Sequence, residues 1–214
     1  MFPKTLHPSF VARGLTLGSA FATFYGTLWV INGINALHAP ASIMTIAFIL
    51  LAGLSISLAI ACVRLFMTAS LFPAQGDAHM IKQANRYINY ATIIQVIISV
   101  GGPAILIALG RSDIVFPAIV VSVGLYLLAL APLLRIPHYY IVGTLLCVIP
   151  VAIVLFTPAT TQLAGMEVNN WLIINGICSG IVFLGSGLTN MILAVRIRRG
   201  QYMHSRRSIG LMAQ

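Results

Sequence analysis

ASIMTIAFILLAGLSISLAIACV, residues 41–63, contains no charged side chain, and this stretch decides the solvent in which the chain folds. As a helix rising about 1.5 Å per residue it would reach about 35 Å, enough to cross the roughly 30 Å hydrocarbon core of a bilayer. Five further apolar blocks of similar length lie around it, at about 15–37, 89–109, 114–134, 139–156 and 171–195. The composition agrees: 59% of the 214 residues are hydrophobic and 7% are charged, against about a quarter charged in a soluble domain. So few charges cannot cover a water-facing surface. The expected fold is all-α, a polytopic bundle of six transmembrane helices making one membrane domain over 1–214. Residues 64–88 read as a cytoplasmic linker with an interfacial helix, and 196–214 as a basic tail. The first block lacks a small-residue cleavage pattern and reads as a retained span.

The joints at 38–40, 110–113 and 135–138 are short, which makes spans one and two, three and four, and four and five antiparallel neighbours. Pro40 and Pro137 cannot continue the preceding ladders, and Gly110 suits a left-handed stop. Within 64–88 a break is expected at 73–76, with Asp77 capping a helical run into the third span. Lys82 and Arg86, four apart on that run, would reach lipid phosphates, as would Arg196, Arg198 and Arg199 beyond the sixth span.

Six spans place the joints alternately on two sides. Eleven of the 12 Lys and Arg residues fall on the side shared by both termini, and one, Arg111, on the other. Cations favour the cytoplasm, so both termini are expected there. Asp113 and Glu167 would then lie on the far side, where Trp171 and the Asn169-Asn170 pair mark a water interface. The formal charge of +9 thus reports topology, and no nucleic-acid partner is expected. The lipid bilayer is the expected partner, with a second copy or a membrane-complex subunit as further possibilities.

Small residues recur at four-residue spacing in the first span, as Gly14, Gly18, Ala22 and Gly26. The sixth carries Gly176, Gly180 and Gly187 with Ser179 and Ser186 beside them. Such faces let backbones approach closely, within the chain, between copies, or around a small guest. Trp29-Val30-Ile31-Asn32-Gly33-Ile34-Asn35 and Trp171-Leu172-Ile173-Ile174-Asn175-Gly176-Ile177 share a local pattern at equal depth. If these spans pack through their small faces, Asn32, Asn35 and Asn175 would form a polar patch flanked by Trp29 and opening outward. The plainer reading is amide bonding between helices, worth about 0.6 kcal/mol each. Gln95 and Asn190 read as interhelical glue, and Pro103, Pro117, Pro132 and Pro150 as shaping residues, with Gly101-Gly102-Pro103 the expected kink.

No Asp, Glu, Lys or Arg lies at the centre of a span, which argues against proton-coupled pumps and voltage sensors. No hydrolase, P-loop or dinucleotide motif occurs, and His7, His38, His79, His138 and His204 stand singly near interfaces, so neither a metal nor another cofactor is expected. Cys62, Cys147 and Cys178 sit in apolar stretches as small hydrophobes. An enzymatic site would have to be assembled from single loop residues, such as His38 with Asp113 or Glu167.

Phe116-Pro117-Ala118, then Val123-Gly124-Leu125-Tyr126-Leu127-Leu128-Ala129-Leu130-Ala131, then Arg135-Ile136-Pro137-His138-Tyr139-Tyr140 with Gly143 resembles a group of uncharacterised bacterial multi-span membrane proteins. Those show Gly-Leu-His-Phe before Pro-Leu-Ala, a short basic turn and a helix start containing Tyr-Tyr. The sequence departs at Tyr126 and Leu127, where His-Phe would stand, and at Ala129, where Pro would stand, so no role of that histidine carries over. The resemblance implies a small bacterial inner-membrane protein and supplies no mechanism. Two functions follow from the residues: binding or passage of a small neutral or polar solute near Asn32, Asn35 and Asn175, or a non-transporting accessory subunit of a membrane complex. An integral enzyme ranks third.

Overall fold

The computed structural model describes residues 8–37, 41–70, 78–163 and 166–212. The helices are α1 (Pro8–Ala36), α2 (Ala41–Ser70), α3 (Ala78–Ala108), α4 (Val115–Leu134), α5 (Pro137–Phe156) and α6 (Asn170–Met212). A 3₁₀ turn, Ser112–Ile114, precedes α4, and an antiparallel hairpin of β1 (Thr160–Leu163) and β2 (Met166–Asn169) joins α5 to α6. Six segments are long and apolar enough to cross a membrane: Gly14–Ala36, Met44–Arg64, Lys82–Ala108, Ser112–Leu134, Pro137–Phe156 and Asn170–Ile197. The chain is a multi-pass membrane protein.

Helix α6 is the axis of the bundle, touching α1, α2, α4 and α5, while α2 packs mainly on α1 and α3 on α4. Helix α1 runs antiparallel along α6: Gly33 lies against Ile173 and Ile177, Gly26 against Gly180 and Leu184, and Gly18 against Asn190. The early part of α1 and the later part of α6 therefore share one end of the bundle, and the hairpin stands at the other. The approach is close. A Cβ added at Gly176 would lie 2.8 Å from the Gly33 Cα and nitrogen and from the Trp29 carbonyl oxygen. Gly124 and Gly143 make an equivalent contact between α4 and α5, each placing an added Cβ 2.8 Å from the other's carbonyl oxygen. Only glycine lets backbones touch in this way, and dispersion between them replaces a hydrophobic drive that lipid cannot supply.

Helix α2 continues to Ser70, past the start of the expected 64–88 linker, and α3 begins at Ala78 and runs on into the third span. Helical hydrogen bonding continues across these ends because the sequence before the 71–77 joint contains no Pro or Gly to stop it. The basic tail is helical through Met212: α6 has 43 residues, about 65 Å of rise, twice the hydrocarbon thickness. Trp171, at the hairpin end of α6, is buried against the protein, and its Nε1–H donates to the Thr157 carbonyl at 2.9 Å, tying the base of the hairpin. The turn at 38–40, including His38 and Pro40, the break at 73–76 and the Asp77 cap lie outside the described residues. Gly110, at φ +72°, ends α3 as expected, and α3 runs unbroken through Pro103.

Among the described residues of α3 only Ala84 is buried, so apolar packing holds this helix weakly. Hydrogen bonds do the rest. Gln95 Nε2 donates to Ser99 Oγ at 2.8 Å and to Ser122 Oγ of α4 at 3.2 Å, and Thr92 shares a 3.1 Å bond with the Tyr126 hydroxyl. Replacing Gln95 with Leu is expected to cost about 1 kcal/mol, lowering the unfolding midpoint in detergent by about 2–4 °C. An unchanged midpoint would mean that apolar contact alone keeps α3 in place.

Candidate functional site

The hairpin and the start of α6 form one bonded unit. Asn169 Oδ1 accepts the Leu172 N–H at 2.9 Å, the capping geometry that satisfies a free first-turn amide. Asn170 Nδ2 donates to the Pro158 carbonyl and its Oδ1 accepts from Thr161 Oγ1. Asn169 and Asn170 are thus committed to structure.

Deeper in α6, Asn175, Ser179, Ser186 and Asn190 are all buried. At about 100° per residue they fall within about 60° of one another, a polar stripe beside the glycine face that meets α1. The stripe has two different ends. At the far end from the hairpin, Asn190 Oδ1 accepts from His138 Nε2 at 2.8 Å, and Asn190 also bonds the buried Tyr139 hydroxyl. Near the hairpin, Asn175 and Ser179 are 0% exposed, and among the described residues neither Asn175 Oδ1, Asn175 Nδ2 nor Ser179 Oγ has a hydrogen-bond partner.

Several other hydroxyls in the spans bond the carbonyl one turn back: Thr16 to Ala12, Thr23 to Ser19, Ser55 to Leu51, Ser57 to Gly53 and Thr189 to Gly185. Ser179 does not use the Asn175 carbonyl, although it is the same distance along the chain. A buried amide without a partner costs about 2–7 kcal/mol. By helical rise, Asn175 lies about 7–8 Å and Ser179 about 13–14 Å below the first residue of α6.

The expected three-asparagine patch is not assembled. Asn32 is half-buried, Asn35 is exposed, and neither bonds Asn175. The contact of Gly33 with α6 fixes the azimuth of α1, leaving Asn32 about 100° and Asn35 about 200° round the helix. Trp29 is buried in an aromatic cluster, its ring centroid 5.0 Å from Phe183 and 6.1 Å from Phe116. Gly18, Ala22, Gly26, Gly176, Gly180 and Gly187 lie in the α1–α6 seam, whereas Gly14 meets nothing within 4 Å. Lys82 and Arg196 are exposed, and exposed Arg86 folds over Tyr90, Cζ 5.5 Å from the ring centroid. The side chains of Arg198 and Arg199 lie outside the described residues. Asp113 pairs with Arg111 at 3.5 Å, and Glu167 is exposed on β2.

Sequence reading treated Ser179 as one of the small residues of the packing face. The signal for its other role was the four-residue step from Asn175, repeated in Ser186 and Asn190. Comparison with protein-family models, curated proteins and solved structures finds no match.

Proposed function

We propose that the protein binds, and passes or delivers, a small uncharged polar solute inside the membrane, held by Asn175 and Ser179 and reached from the hairpin end. The observation that carries this reading is the pair of fully buried polar side chains without protein partners, one turn apart on one face. A carboxamide and a hydroxyl can donate and accept hydrogen bonds but do not ionise near neutral pH, which fits binding rather than acid–base catalysis. The satisfied knot of Asn190, His138 and Tyr139 supports a stripe closed at the opposite end. The eleven-to-one distribution of basic residues supports cytoplasmic termini in an inner membrane, which directs the hairpin outward.

Stopped-flow light scattering of proteoliposomes with urea, acetamide and glycerol tests the reading. At least one solute should cross faster than in protein-free vesicles, and Asn175→Leu with Ser179→Ala should remove the increment. Equal rates for wild type and the double variant with every solute would reject it. The accessory-subunit reading draws on the sparse burial of α3, whose Ile97 and Val100 stay exposed. Cross-linking of Ile97→Cys in membranes to a second polypeptide, with the solute assays negative, would put it first.

A further inference from the structure

Resting on that reading, we infer that the solute belongs to one chemical class, the small carboxamides and ureas. Asn175 presents an N–H donor and a carbonyl acceptor side by side in one plane, and both are without partners. One small molecule satisfies both at once when it carries the same pair in reverse, as in the two-bond ring that carboxamides form with each other. Such a guest keeps a second N–H. About 6 Å further along α6, Ser179 Oγ supplies an acceptor for it.

The alternatives fit less well. A ketone or ether accepts but cannot donate, so it leaves Asn175 Oδ1 unpaired. A carboxylate or ammonium would bring a charge into a segment whose buried polar residues, Thr16, Ser19, Thr23, Ser122, Asn175, Ser179, Ser186 and Asn190, are all uncharged. Burying an unpaired ion is far costlier than burying an amide.

Acetamide, acetone and acetate have nearly the same shape and differ in these properties, so they separate the possibilities. Thermal unfolding of the full chain in lipid nanodiscs would be followed with each, and with glycerol, for wild type and Asn175→Leu. Acetamide should raise the wild-type midpoint with the logarithm of its concentration above Kd, by about 3–6 °C at ten times its Kd, and should not do so in the variant. Acetone and acetate should shift both proteins alike. If acetone matches acetamide, or glycerol acts where acetamide does not, the carboxamide assignment is overturned while the neutral-solute reading stands. If no solute distinguishes wild type from Asn175→Leu, because water alone fills the bonds, both fall.

Discussion

Replacing Gly176 with alanine is expected to lower the unfolding midpoint by about 5–10 °C, although alanine is the better helix former. The added methyl would sit 2.8 Å from three backbone atoms of α1, none of which can rotate away, so the helices must separate along their longest contact. Overpacking of this kind costs about 1–3 kcal/mol, toward the upper end where backbone rather than a flexible side chain is struck. Gly180→Ala should act in the same direction, with Val30 Cγ2 at 2.5 Å and the Gly26 carbonyl oxygen at 2.8 Å from the new methyl. Gly53 provides the control. Nothing lies within 4 Å of a Cβ there, so Gly53→Ala should leave the midpoint unchanged or raise it through helix propensity of up to about 1 kcal/mol. Tryptophan-fluorescence melts of the three variants check this, and equal midpoints for Gly176→Ala and Gly53→Ala would show that the α1–α6 seam is not the one described.

Two asparagines on one face of α6 should respond to the same substitution with opposite signs. Asn175→Leu removes two buried groups that have no partner among the described residues and replaces them with apolar surface of similar size. In the absence of solute it should stabilise the fold by about 1–3 kcal/mol while abolishing binding. Asn190→Leu removes a partner that is in use, strands His138 Nε2, and should destabilise by a similar amount. Melts in solute-free detergent compare the two directly. A loss of stability in Asn175→Leu would mean that its amide is already bonded within the protein, and the proposed site would go with it.

The six spans were legible because 18 or more apolar residues leave a chain little choice of solvent, and the four-residue spacing of Gly18, Ala22 and Gly26 named the face that meets α6. What sequence periodicity supplies is an angle about a helix's own axis. It does not say where the neighbour stands. Asn32 and Asn175 lie at equal depth, as expected, yet the Gly33 contact turns Asn32 off the shared face. Ser179 was hidden by its neighbour: one residue from Gly180, it looks like part of the seam, and only coordinates reveal that its hydroxyl ignores the carbonyl one turn back. The hairpin was missed because Thr160–Leu163 and Met166–Asn169 are too short and too mixed to show an alternating pattern. It is pinned instead by Asn170 and Trp171, whose bonds reach back to Pro158 and Thr157.

A density map of the protein in lipid nanodiscs with acetamide, at a resolution that resolves bound water, tests the central claim most directly. It should show a discrete feature within hydrogen-bonding distance of Asn175 Oδ1, Asn175 Nδ2 and Ser179 Oγ, planar with acetamide present. Side chains bonded to each other or to backbone, with protein atoms filling the space between them, would contradict the account.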